Sequence, residues 1–136
     1  MSRTYENKRR GDRAETAVAN TYDLDVVPEA EWYDCVNPRT GSKYEVKSVK
    51  HPKSTGNPGR FRIVQSNHRS LSISGGHNAA WYVFVILSDG NPPIPTKMRR
   101  VKPQTVTRII NDRGGWNKSG HRAYDKEHKI PVKEVF

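Results

Sequence analysis

Residues Ala79 to Leu87 read AAWYVFVIL, an unbroken apolar run in a chain that is only 33% hydrophobic. A strand with no polar position to offer solvent belongs at the centre of a sheet, and the run is far short of the ~20 residues that a membrane-spanning helix needs. The rest of the chain must therefore supply neighbouring strands and covering helices. At 136 residues there is material for one core, so we expect a single domain over residues 1–136, with a basic, polar C-terminal segment from about residue 102.

The supporting elements follow from period and punctuation. Ala14, Ala17, Val18 and Tyr22 recur at helical intervals behind Asp12-Arg-Ala-Glu15, which has capping-box spacing. The sequence thus predicts a helix over Asp12–Tyr22, or a longer one from near Ser2. Short strands are predicted at Asp25–Pro28, Glu31–Val36 and Lys43–Val49, the last two joined by the turn residues Asn-Pro-Arg-Thr-Gly-Ser. Pro and Gly mark a loop over His51–Arg60, followed by a strand at Phe61–Val64 and a helix from Gln65 to Ile73. Beyond the apolar strand come a loop at Asp89–Pro95, a strand at Lys97–Val101 and a helix opened by Pro103. This order predicts an α/β domain with a mixed central sheet flanked by helices.

Lys and Arg total 24 against 14 Asp and Glu, a formal charge of +10. Such a field favours a polyanionic partner. No segment joins a basic face to a long apolar stripe, so nucleic acid is expected rather than a membrane surface. The single Cys35 can form neither an intramolecular disulfide nor a cysteine-rich zinc site, and the Met1-Ser-Arg-Thr start lacks the apolar core of a signal peptide. A cytoplasmic, reducing setting is the expectation. The five histidines lack zinc-finger spacing, and Gly75-Gly76 and Gly114-Gly115 lack the strand–loop–helix context of a nucleotide-binding turn.

The stretch Asp34-Cys-Val-Asn-Pro-Arg-Thr-Gly-Ser-Lys-Tyr-Glu45-Val-Lys47 is where the charge pattern becomes specific. Alternation along a strand puts Glu45 and Lys47 on one face. A turn centred between Arg39 and Thr40 places Asp34 opposite Glu45, with Cβ atoms roughly 5 Å apart. Like charges opposed in a sheet repel, but two carboxylates can share a divalent cation such as Mg²⁺, which takes oxygen ligands together with waters and phosphate oxygens. Lys47 could then orient water or stabilise developing charge, and phosphodiester hydrolysis is the chemistry such a set supports. An ordinary solvated hairpin uses the same residues.

Asp34, ten intervening residues and Glu45-Val46-Lys47 resemble the core of the PD-(D/E)xK nucleases. The preceding Lys-Arg-Arg-Gly-Asp-Arg-Ala-Glu15 is similar to the opening of archaeal Holliday junction resolvases and related small endonucleases. The resemblance covers about Arg9 to Leu87, with Tyr33 standing where many members have proline. It implies a restriction-endonuclease-like core, Asp34, Glu45, the Val46 carbonyl and Glu15 as holders of Mg²⁺ or Mn²⁺, Lys47 as catalytic lysine, and a homodimer cutting branched DNA. Glu15 also has a local reading as the third helical residue of a capping box. Gln65 is a further catalytic candidate, ahead of His68 and Arg69.

For phosphate contacts the candidates are Lys8, Arg9, Arg10, Lys50, Lys53, Arg60, Arg62 and Arg69, with Arg99 and Arg100 besides. Trp116, His121 and Tyr124 lie among cations and suit either base stacking or core packing. A restriction- or repair-type nuclease and a non-catalytic nucleic-acid-binding module remain open alternatives.

Overall fold

A computed structural model describes residues 5–28, 32–51, 59–74, 79–118 and 126–136, with side chains for these apart from 5–11, 74 and 118. The first helix, α1, runs from Tyr5 to Tyr22, so it begins well before Asp12. Asp12 is an interior residue and cannot cap, which removes the capping-box reading of Glu15. The Lys- and Arg-rich lead-in consists largely of good helix formers, and the helix continues through Gly11. It ends where Asp23 adopts a left-handed φ of 57° and Leu24 returns its N–H to the Ala19 carbonyl at 2.9 Å.

Strands β1 (Asp25–Val26), β2 (Cys35–Val36), β3 (Lys43–Lys50), β5 (Ala80–Leu87) and β6 (Pro95–Val101) form one mixed sheet in the order β1-β2-β3-β5-β6. The apolar strand β5 pairs parallel with β3 along its whole length, Lys43 with Ala80 through Lys50 with Leu87, and antiparallel with β6. The parallel pairing requires a crossover, supplied by β4 (Arg60–Val64) and α2 (Gln65–Ser74). The expected strand Glu31–Val36 is only two residues long; Glu31 lies outside the described residues.

Strand β5 divides the interior in two. On one face, Tyr82, Phe84 and Ile86 pack with Val49, Leu71, Val106 and Ile110 under α2 and α3 (Pro103–Asp112); on the other, Val83, Val85 and Leu87 pack with Tyr44, Ala14 and Val18 under α1. Burial on both sides is what the uninterrupted apolar run demanded.

β4 does not join the central sheet. It pairs antiparallel with β8 (Lys126–Pro131), which also carries the two-residue β7 (Asn117–Lys118), forming a second, three-stranded sheet. Ile130, Val132 and Val135 of the C-terminal segment are buried in the larger cluster. Gly59 enters β4 with no room for a side chain: a Cβ there would lie 3.0 Å from the Lys50 carbonyl oxygen and from Val49.

Candidate active site

The turn before β3 is set by its own polar atoms. Asn37 Oδ1 accepts the N–H of Arg39 at 2.9 Å and of Thr40 at 3.3 Å. Asn37 donates its N–H to the Ser42 carbonyl at 2.9 Å, and Gly41, at a φ of 77°, donates to the Asn37 carbonyl at 2.8 Å. The register that results pairs Cys35 with Tyr44 and Val36 with Lys43, as an even-length turn centred between Arg39 and Thr40 requires.

The ladder then breaks at Asp34. Its N–H donates to the Tyr44 carbonyl at 2.9 Å, although Tyr44 is already the partner of Cys35, so two consecutive residues lie against one as in a β-bulge. Its carboxylate Oδ2 accepts the Val46 N–H at 2.7 Å, taking the place of the backbone acceptor that a longer β2 would supply. Asp34 is therefore drawn along the edge of β3 rather than standing squarely opposite Glu45. Because the N–H and C=O of a strand residue point to the same side, the Val46 carbonyl faces this edge too.

Glu45 and Lys47 share the face that carries Tyr82 and Phe84, their register partners on β5. Lys47 Nζ lies 3.4 Å from Glu45 Oε1, with side-chain exposures of 21% and 12%. Burial pushes the Glu45 carboxyl up to about 7; the Lys47 ammonium opposes this rise and the negative charge of Asp34 adds to it. The site holds a carboxylate that is uncomfortable as an anion, beside a second one.

Glu15 is placed differently. Its helix covers the opposite face, that of Tyr44 and Val83, and its carbonyl accepts a long contact of 3.9 Å from Cys35 Sγ. Burial, then the charges of Asp34, Glu15 and Glu45, push the Cys35 thiol up to about 12, so all three acids act on this cysteine through their charge. Yet among the described residues no three of His, Cys, Asp and Glu draw together closely enough to hold an ion. The expected single cluster is thus resolved into Asp34, Glu45, Val46 and Lys47 at the edge of β3, with Glu15 one layer away.

Gln65 opens α2 immediately after β4 and is half-buried; no hydrogen bond joins it to either carboxylate among the described residues. His68 is buried in a polar chain that sequence spacing gave no sign of. Thr107 Oγ1 donates to the Pro103 carbonyl at 3.1 Å, so it accepts from His68 Nε2 at 2.7 Å, and Tyr82 must donate its hydroxyl to His68 Nδ1 at 2.7 Å. Burial holds His68 below the ordinary histidine range and, with the Glu45 charge, raises Tyr82. The ring of Trp116 sits 5.5 Å from that of His68 and packs on the core, so it is not a free stacking platform.

Several of the cations proposed for DNA are already engaged. Arg62 is 2.7 Å from Glu127 and Lys50 is 3.8 Å from Asp89. Arg60 and Arg69 are exposed. The side chains of Lys8, Arg9 and Arg10, and the whole of Lys53, His121 and Tyr124, lie outside the described residues.

No helix among the described residues is long and apolar enough to cross a membrane. No curated protein matches the chain. The model of one family, the PD-(D/E)XK nuclease superfamily domain, matches residues 1–136. The match runs the full length of the sequence. The chain belongs to the PD-(D/E)XK nuclease superfamily.

Proposed function

We propose that this nuclease domain is a divalent-metal-dependent endodeoxyribonuclease, and in its most specific form a resolvase of four-way DNA junctions. The observation that carries the reading is the Asp34 carboxylate held on the Val46 N–H, next along β3 to Glu45, with Lys47 3.4 Å from Glu45. Two carboxylates and a backbone carbonyl make an all-oxygen donor set, which suits Mg²⁺ or Mn²⁺, and the Glu45 pKa, raised by burial first and by the Asp34 charge after it, marks a carboxylate short of compensating positive charge. Asp34, Glu45 and the Val46 carbonyl would hold the ion, which when bound polarises a phosphodiester and lowers the pKa of a water. Glu15 adds negative charge from behind Cys35.

The protein's own groups do the rest. Lys47 orients the attacking water and offsets charge that develops on the phosphate oxygens. Asp34 is held in place by the Val46 N–H, so its second oxygen is aimed without further loss of freedom. Hydrolysis joins the water oxygen to phosphorus, breaks one P–O ester bond and passes a proton to the departing oxygen. A junction resolvase cuts two strands while each chain carries one candidate site, so that version acts as a homodimer. The polyanionic substrate and the free thiol at Cys35 are consistent with a cytoplasmic protein.

Cleavage of a four-way junction, a linear duplex and a single strand in Mg²⁺ or Mn²⁺ tests the reading. Asp34→Asn, Glu45→Gln and Lys47→Ala should each abolish cleavage and leave DNA binding in EDTA largely intact. Near-wild-type turnover in any two of them would remove the site assignment. Binding by a wild type that cuts none of the three substrates would favour a non-catalytic module, and equal cutting of junction and duplex a restriction- or repair-type enzyme.

A further inference from the structure

One cation held by three aromatic side chains, Arg100, lies away from the cleavage edge. β6 is the outer strand of the main sheet, and Arg100 on it and Lys102 just beyond it are exposed. The Arg100 guanidinium lies 4.1 Å from the centroid of the Trp81 ring and 5.2 Å from that of Tyr22, with Nη1 3.3 Å from the Tyr44 hydroxyl. Tyr22 is itself stacked on Tyr44, with centroids 6.2 Å apart, and Lys102 Nζ sits 5.7 Å from the Trp81 ring. Three aromatic side chains from α1, β3 and β5 therefore fix one guanidinium.

Its charge is nevertheless unspent. Among the described residues neither Arg100 nor Lys102 has a carboxylate in ion-pair range, whereas Arg62, Lys50 and Arg113 each have one. A guanidinium over the face of a ring keeps N–H groups for a planar two-oxygen acceptor, and having been ordered in advance it loses little freedom on binding. Arg100 pairs with Val83, and Val83 with Val46, so the three lie in one row across the sheet. Two strand spacings put the Arg100 backbone about 10 Å from that of Val46. The side chain lies on the α1 face with Tyr44 and Trp81, opposite Glu45 and Lys47.

We propose that Arg100, Lys102 and Trp81 form a phosphate-binding platform for a nucleic-acid backbone, separate from the cleavage edge. The proposal rests on the nucleic-acid reading above and adds to it a second grip on the substrate, on the other layer of the sheet. The rival role for the same contacts is a purely structural one, sealing β6 against α1.

Salt dependence separates the two roles. Binding of a labelled duplex and a labelled four-way junction is measured by anisotropy in EDTA, where no cleavage is needed, across a range of KCl concentrations. Losing two phosphate contacts in Arg100→Ala/Lys102→Ala should lower the slope of log Kobs against log salt by about 1.8, at about 0.9 per contact. Arg100→Lys keeps the charge without the planar guanidinium; it should keep the slope and bind severalfold more weakly. Arg113→Ala, whose cation is engaged by Glu134, should leave the slope unchanged. An unchanged slope in the double variant overturns the platform whatever happens to its melting temperature, since a sealing role does not alter counterion release. If the wild type binds neither DNA, the nucleic-acid reading itself falls.

Discussion

Replacing Glu45 with glutamine should stabilise the metal-free protein at alkaline pH while abolishing its proposed activity. The Glu45 carboxyl titrates near 7 in the fold against an ordinary 4.5. At about 1.4 kcal/mol per pH unit the gap amounts to about 3 kcal/mol. The folded state holds the proton more tightly than the unfolded chain, so this contribution is fully present below about pH 4.5 and is lost as pH rises through about 7. Glutamine mimics the protonated acid at every pH. In EDTA the variant and the wild type should therefore have similar stability near pH 4.5, and by pH 8 the variant should be ahead by up to about 3 kcal/mol, or on the order of 10 °C in Tm. Urea unfolding at several pH values measures the difference, because titrating groups remote from Glu45 cancel between the two proteins and only Glu45 with its neighbours Asp34 and Lys47 remains. Adding Mg²⁺ at pH 8 should narrow the gap by stabilising the wild type alone. A stability difference that stays constant from pH 4.5 to 8 would refute the argument that Glu45 is a strained anion beside Asp34.

Other consequences are nearer to single contacts. Lys47→Ala removes the charge that opposes the rise at Glu45, so the carboxyl should titrate above about 7, as followed by carbon NMR of labelled glutamate. Tyr82→Phe leaves His68 Nδ1 without its partner in the core and should cost about 1–3 kcal/mol in urea unfolding; a neutral result would overturn this buried hydrogen bond. Cys35 is buried and its thiol pushed up to about 12, so maleimide at pH 8 should label it only at the rate at which the protein opens, and rapid labelling of the folded protein would contradict that placement.

Local rules carried the order of the elements and, within it, the register of the hairpin. The turn chemistry of Asn37 and Gly41 is contained within a few residues, so the hairpin register can be counted from the order of the residues alone. The boundary between β4 and α2 is equally local, because an alternating segment gives way at Gln65 to a helical one. What the same rules could not supply was partnership over distance. β4 has the alternation of a strand, but nothing in Phe61 or Ile63 says that its neighbour is β8 rather than the central sheet. The platform on Trp81 draws in Tyr44, which is 56 residues from Arg100. Nor does a capping-box spacing reveal that the helix has already begun, since the residues before Asp12 are polar and carry no apolar period. The position of Glu15 followed from that: the spacing fixed its neighbours along the helix, while tertiary packing chose the face of the sheet on which the helix lies.

The short β2 has a consequence for how this molecule behaves among copies of itself. Beyond Tyr44, no strand among the described residues pairs with β3 on the β2 side, so a row of backbone groups is left at an open edge. Open edges recruit strands from other chains. Here the Asp34 carboxylate blocks the first free N–H, and the charges of Glu45 and Lys47 stand beside the next ones. The groups proposed for phosphodiester chemistry would thereby act as gatekeepers against self-templating. The neutral Asp34→Asn/Glu45→Gln protein combines a more stable fold with a less guarded edge, and concentrated stocks of it are where oligomers built by strand addition would first form.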